Sequence, residues 1–491
     1  MSHGGAQCAR ATHARKLPRD VTCALVVGSY AILGSVLAWS RLIRLDRGYC
    51  CDEVATVVDY VRAGPDAILV GPYSPNNHKL YSLVGWVTSA ALGESEIALR
   101  LWAAIPFIAG AIVVTAWLHV RLGPLSGVLF LFFATVSPLL LDLTREARGY
   151  GLAFLAMSVM IVSALETLRS PRTSTTLAFF VSGVVGTWTL PHFGIAFACA
   201  GAILLAQAHD RVRWAAALGL SLVVTAAPYA TQFDDIVRSS SQSYGAPIDT
   251  AWAITAPLDQ TLVPALIYID EVFLRPVLGS AVVAIALAVL IASSPLMRRW
   301  DSALILGTGV VATVAAFWAT GTFVVPRFFS FLLVPLLMLL ASGIAAILAS
   351  SVASRRIGVR TVVAVMTLGG VAFITTPLIV KIPRLPRVAA AEAAAAIRAS
   401  MPASTPVLVY MPYPRDFEFH LGRSTDTSRT PQQLRRVCNA RRAVVFVSQQ
   451  WPLSPVTARC TRRVGIRHVR FEQYARGGEI NVWFIPPAAD G

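Results

Sequence analysis

The sequence predicts a polytopic α-helical membrane protein that ends in a small α/β domain, and three observations support this fold class. The chain has 491 residues, of which 55% are hydrophobic and only 14% charged, and its mean hydropathy is +0.63. A soluble domain carries about 25% charged residues. Apolar segments of membrane-span length recur between residues 21 and 380. From Pro383 onward the apolar segments shorten to strand length and the charge rises.

The basic composition indicates cytoplasmic loops rather than nucleic-acid binding. The net charge is +16, and nearly all the cations are arginines. In a membrane protein such an excess is typical of loops that obey the positive-inside rule. The abundance of arginine and alanine is a weak indication of a bacterial, GC-rich genome.

About eleven segments meet the length criterion of roughly 20 mostly apolar residues. The first follows a basic tail, residues 1–20, and it is too long for the apolar core of a signal peptide, so we expect it to be retained. The predicted spans are Val21–Arg44, Ile97–Val120, Pro124–Leu141, Tyr150–Leu168, Thr176–Leu190, Phe193–Ala208, Trp214–Ala230, Val277–Ala292, Ala303–Thr320, Phe328–Leu348 and Thr361–Val380.

The distribution of charge orients these spans. With the N-terminus in the cytoplasm, every inward loop is basic, and most acidic residues fall in the outward loops. This membrane topology requires Asn77–Leu92, an apolar segment interrupted by polar residues, to be an interfacial helix on the outer surface. An odd number of spans then places the C-terminus outside, as expected for a multi-pass protein of the plasma (inner) membrane.

The predicted domains are a tail at 1–20, a transmembrane domain at 21–382 with outer loops 45–96 and 231–275, and an extracytoplasmic α/β domain at 383–491. Loop 231–275 has the length of a functional lid. In the C-terminal domain, Cys438 and Cys460 form a disulfide if that compartment is oxidising, and are otherwise free thiols. Predicted strands are Pro406–Met411, Ala443–Ser448, His468–Phe471 and Ile480–Ile485, and predicted helices are Ala389–Ser400 and Pro431–Val437.

Polar residues at the outer ends of the spans are the candidate site. Asp52 and Glu53 are adjacent just after the first span, where nearby hydrocarbon penalises each ionised carboxylate by a few kcal/mol. The segment Arg145–Tyr150 holds two arginines and a glutamate between two spans, and Arg327 lies before the tenth. Carboxylates, arginines and a histidine at one membrane face can deprotonate a hydroxyl and bind a phosphate at headgroup depth.

These motifs resemble the lipid-phosphosugar glycosyltransferases of the GT-C fold, in particular the protein O-mannosyltransferase-like family that includes the lipid A aminoarabinose transferases. The family's Asp-Glu pair is matched by Asp52-Glu53. Its Asn/His-Pro-Leu-Tyr stretch is matched by Asn77–Tyr81, with Lys79 in place of proline, and its Glu-Ala-Arg-Pro-Tyr stretch by Glu146–Tyr150, with Gly149 in place of proline. A Thr-His-Tyr stretch and a late Arg-Tyr pair correspond to Pro191–Phe193 and Arg327-Phe328.

The resemblance implies an inverting transfer of a sugar from a polyprenyl-phosphate donor to a hydroxyl of an envelope glycan, lipid or protein. It implies Asp52 as general base and Glu53 as a residue that orients the acceptor. The phosphate and sugar of the donor would be bound by residues at the remaining motif positions. Those residues are Arg148, Arg327, His78, Lys79, His192 and Tyr150, while Glu146 braces Arg148 or joins Asp52 in binding a divalent cation, Mg²⁺ or Mn²⁺.

Each residue also has an alternative that involves no chemistry. In this alternative, Asp52 is a helix N-cap, and Glu146 and Arg148 form a structural ion pair. His78 is a solvated histidine, and His192 is a packed loop residue. Lys79 snorkels to the lipid headgroups, and Arg327 is an interfacial arginine.

Two other functions compete with the transferase: a flippase or transporter of lipid-linked sugars, and a scaffold whose spans only anchor the C-terminal domain. A transporter places ionisable groups near mid-membrane, and an anchor does not need eleven spans.

Overall fold

The computed structural model describes fifteen ranges of residues. They are 19–46, 48–49, 52–74, 76–232, 235, 288–319, 330–354, 364–365, 368–369, 390–410, 414–422, 425–427, 444–448, 467–472 and 479–485. Predictions for Arg327, Cys438, Cys460, most of loop 231–275, helix Pro431–Val437 and most of the spans Val277–Ala292 and Thr361–Val380 fall outside these ranges.

The first half of the chain is almost entirely helical. The helices are α1 (Arg19–Leu42), α2 (Asp52–Thr56, continued by a π-turn at Val57–Val61), α3 (Pro65–Leu69), α4 (Lys79–Leu92), α5 (Glu96–Leu122), α6 (Pro124–Val136), α7 (Pro138–Leu143), α8 (Tyr150–Arg169), α9 (Thr173–Thr189), α10 (Phe193–Gln207) and α11 (Arg211–Ala226). A 3-10 helix, Ala227–Gln232, extends α11, and a second one, Pro295–Arg298, precedes α12 (Trp300–Ala319) and α13 (Leu333–Ser354).

The helical region has the character of a membrane domain. In the described residues, five segments are long and apolar enough to cross a bilayer: Ala24–Leu42, Glu96–Leu122, Tyr150–Arg169, Arg211–Gln232 and Ser330–Val352. Shorter apolar helices lie at Pro124–Val136, Phe193–Gln207 and Ser302–Thr313. The predicted total of about eleven spans stays a prediction. Helix α4 has 14 residues, a rise of about 21 Å, which is too short for the roughly 30 Å hydrocarbon core.

Two predicted spans are broken by proline. Pro138 ends α6 because it has no N–H to donate to the carbonyl of Ala134, and Arg41 instead donates to that oxygen at 2.8 Å. Pro228 likewise leaves the carbonyl of Val224 without its helical donor, and Nε1 of Trp188 donates to it at 3.0 Å. The predicted spans Pro124–Leu141 and Trp214–Ala230 therefore each contain a change in the helix. The second lies within Arg211–Gln232, which is long and apolar enough to cross a bilayer, and the first stays a prediction.

The C-terminal region forms a mixed sheet flanked by two helices. The strands β1 (Val407–Tyr410), β2 (Asp426–Thr427), β3 (Val444–Ser448), β4 (Arg467–Glu472) and β5 (Glu479–Ile485) take the order β2-β1-β3-β5-β4. Strands β2, β1 and β3 are parallel, whereas β5 is antiparallel to β3 and β4. Helices α14 (Ala390–Ser400) and α15 (Pro414–Leu421) pack on the sheet through Ile397 and Phe417. Strand β2 and helix α15 were not predicted, and the domain's boundaries and membrane side stay predictions.

The bundle has two polar ends. Helix α5 carries Arg100 near its start and Arg121 near its end, about 30 Å apart along the axis. Arg121 forms an ion pair with Glu166 at the end of α8, and Nε1 of Trp117 donates to the same carboxylate at 2.7 Å. At the opposite end, the start of α8 meets α2 and the start of α4, and the candidate site lies there.

Candidate active site

Arg148 is the centre of the polar cluster and is fully buried. Its Nη1 donates to Oδ2 of Asp52 at 3.0 Å, and its Nη2 donates to Oδ1 of Asn76 at 3.0 Å. The guanidinium also lies over the Tyr150 ring, 5.0 Å from the centroid, and Nη2 lies 3.0 Å from Nε2 of His78. The structure thus brings together the two segments that the sequence predicted to face one site.

The orientation of His78 is fixed by a backbone amide. The N–H of Gly149 donates to Nδ1 of His78 at 3.0 Å, and Nε2 on the other side of the ring lies 3.0 Å from Nη2 of Arg148. The Tyr150 ring packs edge-on against the imidazole, with the two centroids 5.0 Å apart. His78 is 1% exposed, so it is not a solvated loop residue. The imidazole is therefore held between the Gly149 amide and the Arg148 guanidinium.

Glycine replaces the family's proline at position 149 for two reasons visible in the contacts. A proline would have no N–H to donate to His78. A Cβ at this position would lie 2.5 Å from Cγ2 of Thr189 and 2.8 Å from Nδ1 of His78, closer than van der Waals contact allows. The departure from the family pattern therefore accompanies the hydrogen bond that orients the histidine.

Glu53 is held by a different arginine from Asp52. Arg100 donates from Nε to Oε1 of Glu53 at 2.9 Å and from Nη2 to Oε2 at 2.8 Å. The backbone N–H of Ala147 donates to Oε1 at 2.6 Å. Both oxygens are thus used to tie α2 to α5 and to the segment that carries Arg148. The predicted role of Glu53 in orienting the acceptor stays a prediction.

Arg100 was missed by the sequence analysis, although one signal could have found it. It is an arginine inside a predicted span, one turn after Glu96, and such residues are rare and usually have a named partner. Besides Glu53, the guanidinium donates to the carbonyls of Leu45 and Gly48, each at 2.5 Å, and lies 3.4 Å from the Glu96 carboxylate. It therefore fixes the path of the chain between α1 and α2.

Lys79 is fully buried at the start of α4 and does not snorkel. Its ammonium donates to the carbonyl of Leu69 at 3.0 Å and to that of Pro228 at 2.6 Å, and lies 4.9 Å from the centroid of the Tyr229 ring. These partners are neutral, and burial lowers the pKa of Lys79 to about 8. At pH 7 the side chain is mostly protonated and is a buried positive charge.

Two further buried arginines bind the ends of helices. Arg41 donates to the carbonyls of Ala134 and Thr135 at the broken end of α6, each at 2.8 Å. Arg145 donates to the carbonyls of Ser40 and Ile43 at the end of α1, the latter at 2.7 Å. The C-terminus of a helix carries partial negative charge, which a cation stabilises. These side chains hold α1, α6 and the Arg148 segment together.

Of the remaining predicted residues, Glu146 lies beside Arg148 and His192 packs against Phe331. Oε2 of Glu146 lies 4.0 Å from Nη1 of Arg148 and is buried, a placement compatible with the predicted bracing role. His192 precedes α10, and its ring packs against Phe331 with centroids 5.4 Å apart. This contact places His192 beside the residues that precede α13.

The three carboxylates do not form a metal-binding group. Asp52 and Glu146 both face Arg148, and Glu53 faces Arg100. In the described part of the chain, no three His, Cys, Asp or Glu side chains are placed to hold a metal. Mg²⁺ or Mn²⁺ binding stays a prediction.

Comparison with known proteins identifies the fold. No protein-family model matches the sequence, and no curated protein matches it. Two solved structures match nearly the whole chain: ArnT from Cupriavidus metallidurans in the apo state, with a TM-score of 0.52, and the same protein bound to undecaprenyl phosphate, with a TM-score of 0.51. Each is 13% identical and covers 94% of this chain and 98% of ArnT.

The chain shares the fold of ArnT. The predicted fold class, a polytopic GT-C-like membrane protein, is thereby confirmed, as is the resemblance to the group that contains the aminoarabinose transferases. At 13% identity the likeness to ArnT establishes the fold alone.

Proposed function

We propose that the protein is a membrane glycosyltransferase that moves a sugar from a polyprenyl-phosphate donor to a hydroxyl group on the extracytoplasmic face of a bacterial inner membrane. The acceptor belongs to an envelope glycan, a lipid or a protein. The observation that carries the proposal is the pairing of Asp52 with Arg148 at one end of a bundle with the fold of ArnT. One of the ArnT structures holds undecaprenyl phosphate, which supports a lipid phosphate as part of the donor.

Asp52 is the proposed general base. Its side chain is 20% exposed, whereas those of Glu53 and Glu146 are 4% and 3% exposed, so it is the most accessible of the three. Its carboxylate takes the proton of the acceptor hydroxyl as the oxygen attacks the anomeric carbon. The bond between that carbon and the phosphate oxygen breaks with inversion, and polyprenyl phosphate leaves with the bonding electrons.

The leaving phosphate needs positive charge more than it needs a proton. As the bond breaks, the phosphate gains a negative charge, which fixed donors in a water-poor site stabilise strongly. Arg148 supplies a buried guanidinium that contacts His78, and Lys79 adds a buried positive charge whose hydrogen-bond partners are neutral carbonyls. Arg327 and His192 are proposed to complete the donor site, and Tyr150 supports Arg148 by stacking.

The test is transfer of radiolabelled sugar from a panel of polyprenyl-phosphate donors by purified protein in membrane extract. Wild type is compared with Asp52→Asn and with Asp66→Asn, which makes the same change at an exposed aspartate of the same loop. Label is expected to reach an acceptor with wild type and Asp66→Asn only. Near-normal turnover by Asp52→Asn would reject Asp52 as the base.

A second arm separates the transferase from a flippase. Sealed vesicles that contain the protein are loaded with the labelled donors, and passage of lipid-linked sugar between leaflets is measured without acceptor. Movement across the bilayer with no transfer by any extract would replace the transferase by a transporter.

A further inference from the structure

Helix α15 of the C-terminal region packs directly on the residues that lead into Asp52. Nε2 of His420 lies 2.6 Å from the carbonyl oxygen of Tyr49, and because a carbonyl only accepts, this nitrogen carries the proton. Phe419 packs edge-on against the Tyr49 ring, with centroids 5.9 Å apart. The same Phe419 ring lies under the guanidinium of Arg62 in the turn that follows α2, at 4.8 Å. A single helix therefore contacts the chain on both sides of Asp52.

Tyr49 connects this contact to the ion pairs of the site. The side chain is 3% exposed, and the guanidinium of Arg100 lies 5.4 Å from its ring centroid. Arg100 in turn holds Glu53, whose Oε1 accepts the N–H of Ala147 beside Arg148. A continuous series of contacts thus runs from His420 to both halves of the candidate active site.

The close approach of α14 and α15 also depends on Gly48. This residue has φ +81°, which a side chain disfavours, and an added Cβ would lie 2.7 Å from Cβ of Ala391 and 3.5 Å from Cε1 of His420. Its carbonyl accepts from Arg100 at 2.5 Å and its N–H donates to Glu96 at 2.7 Å. The chain before Asp52 is therefore held between α5 on one side and the C-terminal helices on the other.

His420 is suited to donate rather than to carry charge. Burial lowers its pKa, although the Tyr49 carbonyl, Glu392 and Glu53 act in the opposite direction, and Arg100 adds to the effect of burial. Arg398 donates to the backbone carbonyl of His420 and fixes the end of α15. A neutral imidazole with its proton on Nε2 is held facing the Tyr49 carbonyl.

We propose that His420 is a positioning residue for the transferase, and that its hydrogen bond to Tyr49 holds the segment 45–56 so that Asp52 meets the acceptor in line with the donor. The inference rests on the proposed function. It gives the C-terminal region a role in the chemistry without contact with the reacting atoms. A misplacement of about 1 Å is sufficient to reduce an enzyme's rate on the order of 100-fold.

The experiment compares the full-length protein with His420→Leu, His420→Gln and Phe419→Ala, and with His209→Leu as a control at an exposed histidine. Leucine removes the donor at similar size, whereas the glutamine amide can still donate to the Tyr49 carbonyl. We expect His420→Leu to lower kcat about 10- to 100-fold with the donor KM changed less than about twofold, and His420→Gln to restore most of kcat. The control is expected to match wild type.

Hydrogen exchange provides a readout that does not need activity. Amides of residues 45–56 are expected to exchange faster in His420→Leu and Phe419→Ala, but not in His420→Gln, with the rest of the bundle unchanged. Unchanged exchange and kcat in His420→Leu would overturn the inference while leaving the transferase intact. A lower melting temperature together with a raised KM would mean a purely structural role and would also overturn it. If wild type transfers no sugar, the proposed function fails, and the exchange result still decides whether His420 holds the segment.

Discussion

Asp52 and Glu53 are adjacent carboxylates in environments that differ sharply. Glu53 has both oxygens bound by Arg100, accepts a further backbone N–H and is 4% exposed. Asp52 is hydrogen-bonded by Arg148 through Oδ2 and is 20% exposed. The contrast divides the pair into a carboxylate that maintains the fold and one that remains accessible to an acceptor.

The cause of this division is helical geometry. Successive residues of a helix point about 100° apart, so on the first turn of α2 one carboxylate meets α5 and the other meets the start of α8. A protein gives the same functional group different tasks by placing it in different environments. A motif that reads as a pair in the sequence is therefore two separate sites in the structure.

The largest expected effect comes from Asp52→Asn. The amide keeps the shape of the side chain and can still accept from Arg148, but it cannot take a proton, so kcat should fall by about 10²- to 10⁴-fold. The melting temperature should stay near that of wild type. Steady-state transfer kinetics and a thermal unfolding curve of the purified protein measure the two quantities. If Asp52→Asn keeps the kcat of wild type but has a lower melting temperature, Asp52 maintains the fold, which is the role assigned here to Glu53.

Arg100→Met tests the other member of the comparison. It leaves Glu53 buried without its partner, which should cost about 3–5 kcal/mol in the free energy of unfolding. The double variant Glu53→Met with Arg100→Met removes both charges and should recover much of that loss. Unfolding in a detergent titration measures all three proteins. A double variant no more stable than Arg100→Met would show that the ion pair does not account for the loss.

Arg148→Lys should reduce kcat by about 10²-fold, because removing one preorganised donor to developing charge has an effect of this order. Lysine keeps the charge, but an ammonium cannot span Asp52 and Asn76 as the planar guanidinium does. Transfer kinetics are compared with Arg172→Lys, the same change at an exposed arginine. Equal activity of the two variants would mean that charge alone is needed at Arg148.

The smallest effect, on the free energy of unfolding, is expected for Lys79→Met. Lys79 is a buried cation whose partners are neutral, so it serves as a reference for the two ion pairs. Its pKa is about 8 in the folded protein, below its ordinary value of about 10.4, so between these pH values the unfolded chain binds more protons. The free energy of unfolding of wild type should therefore rise with pH across this window relative to Lys79→Met. Melting temperatures of both proteins from pH 7.5 to pH 10.5 measure the difference. A difference that is constant across this range would contradict the lowered pKa of Lys79 in the folded protein.

The ends of the helices show where sequence reasoning fails. Span-length hydropathy locates α1, α5, α8 and α13 to within a few residues, apart from the end of α13, because burial in lipid requires a long apolar run. Hydropathy does not register the breaks at Pro138 and Pro228, since the residues on both sides remain apolar. It likewise treats Arg41 and Arg100 as interruptions of a span, although each is the donor that satisfies a helix end or a carboxylate.

The sequence by itself determined the class of fold and predicted that the polar segments around Asp52 and Arg148 lie at a common end of the bundle. Composition, span length and short motifs are local properties, and local properties suffice for these conclusions. Only the tertiary structure decided that Glu53 forms an ion pair with Arg100, that Asp52 forms an ion pair with Arg148, and that the N–H of Gly149 orients His78. It also joined His420 to Tyr49, 371 residues apart in the chain. Partners of buried charged groups are chosen by packing between distant segments, and no periodicity in the sequence encodes that choice.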